Sequence, residues 1–288
     1  LPSSIFKKFY RDEYRIGLIF EPVSQFIAGP ENHFGCIKWL EKPFKKSHMS
    51  QAFLIEEPGG HRLVFTYQQS GKSMIYSAEE KSGFDLYHLA LASDHKHGFP
   101  SCFRDEGLLW CLPYTAGYNG MTLFVFDPES RKLIPAHTLL EGYKALYPMI
   151  FKHNQLWWLI LYTEQQGNLK ELLFWSEDLR GEFRAHPCND VSDADNGLIP
   201  AGQVIVDNGR LIRPMTDYST NRPVLVLQEI TSLSEMDFSH VLFKTIVPPK
   251  DVLSGGGIVH LAGNDHYTVI STRQPVFDLK SAFGRNQN

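Results

Sequence analysis

The chain has 288 residues and a mass of 32.9 kDa, is 43% hydrophobic and 13% aromatic, and carries a formal net charge of −4 with a pI near 6.3. That composition supplies an extensive core and excludes the basic footprint of a nucleic-acid binder. No apolar run approaches the roughly 20 residues needed to span a bilayer.

Four cysteines (Cys36, Cys102, Cys111, Cys188) are unevenly spaced without a Cys-x-x-Cys and read as reduced thiols. Only Cys102 and Cys111, on opposite limbs of one hairpin, are placed to pair. With no signal peptide and no Asn-x-Ser/Thr sequon, the expected location is cytoplasmic. The sequence begins at Leu1 rather than Met, as a processed or excised chain does. The densest positive cluster, Lys42, Lys45 and Lys46, reads as a solvated loop rather than a phosphate site.

In chain order, residues 1–13 form a mixed-charge lead-in, and 14–20 is the first clear strand, followed by a short one at 36–40. Five hairpins then recur. Each has an apolar run, a polar corner and a second apolar run: 52–55 with 63–65, 100–103 with 108–112, 146–151 with 156–162, 200–206 with 211–213, and 258–261 with 267–270. In the middle three, the last apolar residue before the corner and the first after it are five apart: Phe103 to Leu108, Phe151 to Leu156, Val206 to Leu211. Second strands start at 63, 108, 156, 211 and 267, in steps of 45, 48, 55 and 56 residues. Two outer strands follow each hairpin: 73–77 and 86–91, 121–126 and 132–134, 172–175 and 182–184, 224–228 and 241–244. The fifth repeat runs out of chain after Thr272. Turn chemistry (Asn119-Gly120, Asp127-Pro128, Asn208-Gly209) separates the runs. No linker and no amphipathic helix is legible.

A hairpin recurring every 40–50 residues or so is the mark of a β-propeller, in which no repeat buries its faces alone. The expected fold is therefore all-β: one five-bladed propeller domain over 1–288, with blades near 14–95, 96–140, 141–190, 191–247 and 248–277. Its ring is closed by the N-terminal strand, which leaves no raw sheet edges.

Residues entering the first strand of each repeat converge on one channel mouth. These are Gln51, His97 to Pro100, Tyr147, the approach 193–200, and 255–260; residues leaving the second strands add Tyr114, Tyr162, Arg213 and Asp217. Here the chain resembles a known family. Arg15-Ile16-Gly17, Trp39-Leu40 and 52–55 are similar to the start of the propeller of glucosamine inositolphosphorylceramide transferases and related bacterial proteins. So are Ser176 to Leu179, Gly181-Glu182-Phe183, His186-Pro187, Pro200-Ala201-Gly202, the run Asn208-Gly209-Arg210-Leu211-x-Arg213-Pro214-x-x-Asp217, and Gly257-x-x-His260. The likeness spans roughly residues 15–272. It implies a propeller akin to arabinanase and β-xylosidase glycosidases, standing alone or beside a glycosyltransferase or formyltransferase-like domain.

The departures from that pattern matter chemically. Where the resemblance implies an aspartate before proline, Gln51 and Tyr147 stand; Pro113-Tyr114 replaces proline-glutamate, and Ile199 replaces an arginine. Inverting glycosidases need one carboxylic acid and one carboxylate roughly 6.5–9.5 Å apart, and neither Gln51 nor Tyr147 takes a proton at neutral pH. The expectation is thus a carbohydrate-recognising, degenerate glycosidase-like module of glycan biosynthesis or modification. Its ligand is a glycan or sugar-containing small molecule, its polar contacts are Gln51, His97, Tyr147, Arg213, Asp217 and His260, and no cofactor is expected.

Each contact has a structural alternative. Arg213 with Asp217 as counter-charge suits a ligand fork or an interblade pair, and His260 a sugar contact or a core histidine. His95 and His97 lack the further ligands of a zinc site, so no metal is expected. Trp157 and Trp158 are expected to pack in the core. Two other functions remain open: an active glycosidase or glycosyltransferase with carboxylates from Asp193, Asp195, Asp217 or Glu141, and a protein-interaction platform. Two carboxylates in a channel pocket would mark the former, a filled apolar channel the latter.

Overall fold

The computed structural model describes residues 10–29, 34–44, 46–165, 167–190, 197–220, 222–249, 252–253 and 255–278. Its strands form five antiparallel sheets arranged as the blades of a propeller. Blade one comprises β3 (His48–Glu57), β4 (Gly60–Gln69), β5 (Lys72–Glu79) and β6 (Tyr87–Leu91). Blade two comprises β7 (His97–Asp105), β8 (Leu108–Thr115), β9 (Gly120–Asp127) and β10 (Lys132–Glu141). Blade three comprises β11 (Leu146–His153), β12 (Leu156–Gln165), β13 (Asn168–Ser176) and β14 (Arg184–Ala185).

Blade four has a broken inner strand, β15 (Leu198–Pro200) and β16 (Ile205–Asp207), both paired to β17 (Arg210–Asp217). Outside it lie β18 (Val224–Leu233) and β19 (Phe238–Ile246). Blade five begins with β20 (Gly257–Gly263) and β21 (Thr268–Phe277) and is completed by β1 (Tyr10–Ile19) and β2 (Ile37–Trp39). The expected closure is present: β1 pairs with β21 from Tyr10↔Phe277 to Ile19↔Thr268. One six-residue helix escaped sequence reading, α1 (Val23–Ala28); it buries Val23, Phe26 and Ile27. Its single turn and a half is too short to show helical periodicity.

The hairpin signal works because each inner and second strand is buried on both faces by neighbouring blades, so its apolar run is nearly continuous. β12 shows this most fully, with Trp157 through Tyr162 all buried. Both tryptophans lie in the core: Trp157 packs on Phe103 of blade two at 5.1 Å between ring centroids, and Trp158 donates its indole N–H to the His153 carbonyl at 3.2 Å. Cys102 and Cys111 are directly opposed, buried free thiols. Burial and the neighbouring Cys111 push the Cys102 thiol well above its ordinary value.

Polar bonds stitch the blades around the ring. Leu261 N–H donates to the Ala201 carbonyl at 2.6 Å, joining blades five and four. This closeness explains Gly202, where a Cβ would lie 2.0 Å from the Leu261 carbonyl oxygen. The Gln203 amide donates to the Ile150 carbonyl at 3.0 Å, joining blades four and three. No helix among the described residues is long and apolar enough to cross a membrane.

Candidate functional site

All five inner strands begin at the same end of the ring, and four carry a register shift within a few residues of that end: Ser50/Phe53, Gly98/Ser101, Leu146/Met149 and Ile258/His260. In blade four the break between β15 and β16 occupies the same place. At three of these bulges a non-glycine residue takes a left-handed φ: Gln51 (53°), Phe99 (46°) and Tyr147 (49°). Such φ values are rare outside glycine, asparagine and aspartate and mark a backbone held by its surroundings. Bulges re-aim a side chain out of the strand's alternation, so these three positions are built to present residues at the channel.

The holding bonds are visible. Gln51 Oε1 accepts both the Phe99 backbone N–H and the Thr66 hydroxyl, each at 2.9 Å. Beneath the mouth, aromatic rings plug the channel. Phe53 and Phe99 meet edge to face at 5.3 Å, Phe99 meets Tyr147 at 5.7 Å, and His260 packs on Phe53 at 4.8 Å and on Phe99 at 5.7 Å. His260 is fully buried, and among the described residues neither ring nitrogen has a hydrogen-bond partner. Burial alone lowers its pKa to about 3, so it is neutral at pH 7. It is a component of the plug, not a contact at an open surface. Gly256 and Gly257 ahead of it serve packing: a Cβ on them would lie 2.4 Å from the Arg273 carbonyl oxygen and 1.9 Å from the Pro223 carbonyl oxygen, respectively.

Arg213 is 1% exposed, and its guanidinium is engaged by Glu171 and Gln228. It donates to Glu171 Oε2 at 2.6 Å and to Gln228 Oε1 at 2.7 and 3.1 Å, while the Tyr162 hydroxyl donates to the same Glu171 oxygen. The expected Arg213–Asp217 pair is thereby corrected. On an extended strand at about 3.3 Å per residue, positions four apart stand about 13 Å from one another, too far for an ion pair. Asp217 instead accepts the Ser219 N–H at 2.7 Å.

His97 is buried, with Nδ1 3.1 Å from the Thr115 hydroxyl and Nε2 2.8 Å from that of Ser93. Burial, reinforced by His95, lowers its pKa. Glu141 ends β10, the outermost strand of blade two, three strands or about 14 Å from the inner one. Asp193 and Asp195 lie outside the described residues.

What the structure assembles at the mouth is a group of phenols. Burial raises the pKa of Tyr147, and the Tyr114 and Tyr14 hydroxyls add to the shift. Tyr218, also raised by burial, feels Tyr14 and Tyr147. Arg273 stands among them; its ion pair with Asp12, at 2.8 Å, raises its own pKa. Of these, Tyr114 and Tyr147 are legible from the sequence. Tyr14 and Arg273 were missed because they reach the mouth through strand closure, opposite each other on β1 and β21. Tyr218 directly follows Asp217, the last residue of β17. The mouth-side halves of the inner strands (48–53, 97–101, 146–150, 198–200, 257–260) contain no carboxylate. At the opposite end, the hairpin corners of blades one and two line a cavity of about 430 Å³ whose walls hold Arg62 paired with Glu57 and Glu79, at 2.8 and 3.2 Å.

Comparison with known proteins yields structural likeness only. No family model matches the sequence, and no curated protein matches it by sequence. Among solved structures, an exo-β-1,3-galactanase from Clostridium thermocellum is similar at TM-score 0.55 and 11% identity, over 67% of this chain and 49% of that one. The chain thus spans about half the length of that galactanase structure. An α-L-arabinanase from Cellvibrio cellulosa, solved with arabinohexaose, is similar at TM-score 0.51 and 11% identity, over 67% and 77% of the two chains. An endo-arabinase from Bacteroides thetaiotaomicron is similar at TM-score 0.53 and 13% identity, over 70% and 83%. At such identities the likeness establishes the fold: a five-bladed propeller of the arabinanase and galactanase kind.

Proposed function

We propose that the chain is a carbohydrate-recognising propeller that binds a glycan, or a sugar-containing small molecule, at its channel mouth without hydrolysing it efficiently. The observation that carries this reading is the mouth itself: Tyr14, Tyr114, Tyr147 and Tyr218 gather there with the Arg273–Asp12 pair, and the inner-strand positions beside them bear Gln51, Phe99 and Tyr147 rather than acids. Tyrosines offer an apolar face for a sugar ring and a hydroxyl for its polar edge. Neutral phenols and an amide supply no proton donor and base pair of the sort glycoside hydrolysis requires. The similar folds include proteins described as acting on galactan and arabinan. A role in glycan biosynthesis or modification, in the cytoplasm and beside a glycosyltransferase or formyltransferase-like domain, is the finer form of the proposal and rests on the transferase resemblance. Of the expected contacts, Tyr147 belongs to the phenol group, while Gln51 Oε1 is engaged by the Phe99 N–H and the Thr66 hydroxyl.

A glycan array probed with the wild-type chain and with Tyr114→Ala/Tyr147→Ala tests the reading, alongside a screen of aryl glycosides, arabinan and xylan oligomers. Binding lost in the double variant and no turnover support it. Turnover at enzymatic rates, of order 1–1000 per second, would overturn it in favour of a glycosidase using acids such as Asp217. The ring plug of Phe53, Phe99, Tyr147 and His260 favours a second reading, a protein-interaction platform. A blank array together with retention of a defined partner by the full chain would support that alternative.

A further inference from the structure

Beside the mouth, on the rim of blade one, three lysines that the sequence keeps far apart come together. Lys46 precedes β3, Lys72 begins β5 and Lys96 precedes β7, and with His48, Ser70 and Ser73 they line one cavity of about 270 Å³ that has no acidic side chain in its wall. None of the three ammonium groups has a carboxylate partner among the described residues, unlike Lys42, whose Nζ is held 2.6 Å from Glu13. Of the acids that act on the His48 ring, Glu13 is paired with Lys42 and Arg11, and Asp12 with Arg273. Among the described residues, His48 Nδ1 is buried without a hydrogen-bond partner. The cavity floor is a two-residue hairpin turn, Ser70-Gly71, with φ of 50° and 79°, the sign pattern of a type I′ turn, which holds Lys72 at the rim.

We propose that this cavity is an oxyanion subsite for a phosphate or sulfate ester carried by the glycan that lies on the tyrosine mouth; the glycan part of this inference rests on the proposed function above. Three compact ammonium groups suit a tetrahedral oxyanion approached from several sides, whereas a planar carboxylate is better matched by a guanidinium fork, which is absent from the wall. The link to the mouth is direct. The His48 ring, in the cavity wall, meets Tyr14 edge to face at 5.6 Å, and Tyr14 belongs to the phenol group. A saccharide on the tyrosines would therefore reach the lysines with one substituent.

The test uses the full chain and two readouts. Inorganic phosphate is titrated against sodium chloride at matched ionic strength while the amide resonances of residues 70–73 and 96 are followed. An array of paired neutral, phosphorylated and sulfated oligosaccharides is then probed with the wild type, with Lys46→Gln/Lys72→Gln/Lys96→Gln, and with Tyr114→Ala/Tyr147→Ala. The expected result is a saturable phosphate response that weakens about tenfold or more in the lysine variant. With it should come a preference for the charged glycans that the lysine variant loses while keeping neutral-glycan binding. A response that does not saturate, or that the lysine variant shares, overturns the subsite. Saturable phosphate binding without any charged-glycan preference overturns the ester assignment and leaves a site for free oxyanions. An array on which the tyrosine variant binds like the wild type sinks the mouth reading instead, and the phosphate titration still judges the lysines.

Discussion

Arg213 Nη1 stands 2.6 Å from Glu171 Oε2, and this contact joins blade four to blade three in a site from which water is excluded. Both groups are buried, so their mutual attraction compensates a desolvation cost that neither would bear alone. Arg213→Ala removes one charge of this buried pair and is expected to destabilise the fold by about 3–5 kcal/mol in chemical denaturation. The double change Arg213→Met/Glu171→Gln, which removes both charges, should cost clearly less. Equal losses would mean that the pair is not the joint.

His260 makes stability pH-dependent in a defined direction. Its folded pKa of about 3 lies below the unfolded value near 6.5, so below pH 6.5 the unfolded chain binds a proton that the folded chain refuses. Stability therefore falls as the pH drops from 6.5 towards 3, by at most about 1.4 kcal/mol per pH unit from this residue. His97, also depressed by burial, acts in the same sense. Denaturation midpoints of wild type and His260→Leu between pH 7 and 5 should diverge, the variant losing less; parallel curves would show that His260 is protonated in the fold.

The bond from Phe99 N–H to Gln51 Oε1 predicts an asymmetry between two substitutions at position 51. Gln51→Glu keeps an acceptor oxygen for both Phe99 and Thr66 and should leave stability nearly unchanged at neutral pH. Gln51→Leu leaves the Phe99 N–H with only the longer Thr66 contact, 3.1 Å, and should cost about 1–3 kcal/mol. Thermal melts of the two variants, side by side, decide the point.

Gly257→Ala places a methyl group 1.9 Å from the Pro223 carbonyl oxygen, inside the contact distance of backbone that has nowhere to move. A loss at or beyond the upper end of the usual 1–3 kcal/mol or so for overpacking is expected. Gly35→Ala, whose Cβ meets nothing within 4 Å, is the control and should stay within about 0.5 kcal/mol of wild type.

Periodicity and turn chemistry along the chain determined the propeller, its five hairpins and the closing strand, because strand pairing between sequence neighbours is local and each apolar run announces its own burial. The start of β12 at Leu156 and the pairing of 14–20 with the last hairpin were both legible in this way. Which charged groups meet was decided only by the tertiary structure. Arg213 has an aspartate four residues away, but the extended backbone carries Asp217 out of reach while blade packing delivers Glu171 from 42 positions earlier. The same holds for Tyr14 and Arg273 at the mouth, and for Lys46, Lys72 and Lys96 on its rim, which share nothing in sequence and are neighbours only because blades one, two and five close a ring. His260 also followed this rule: the sequence leaves it either a sugar contact or a core histidine, and the ring's closure put it in the buried centre of the channel, where its neutral form is the only one that burial permits.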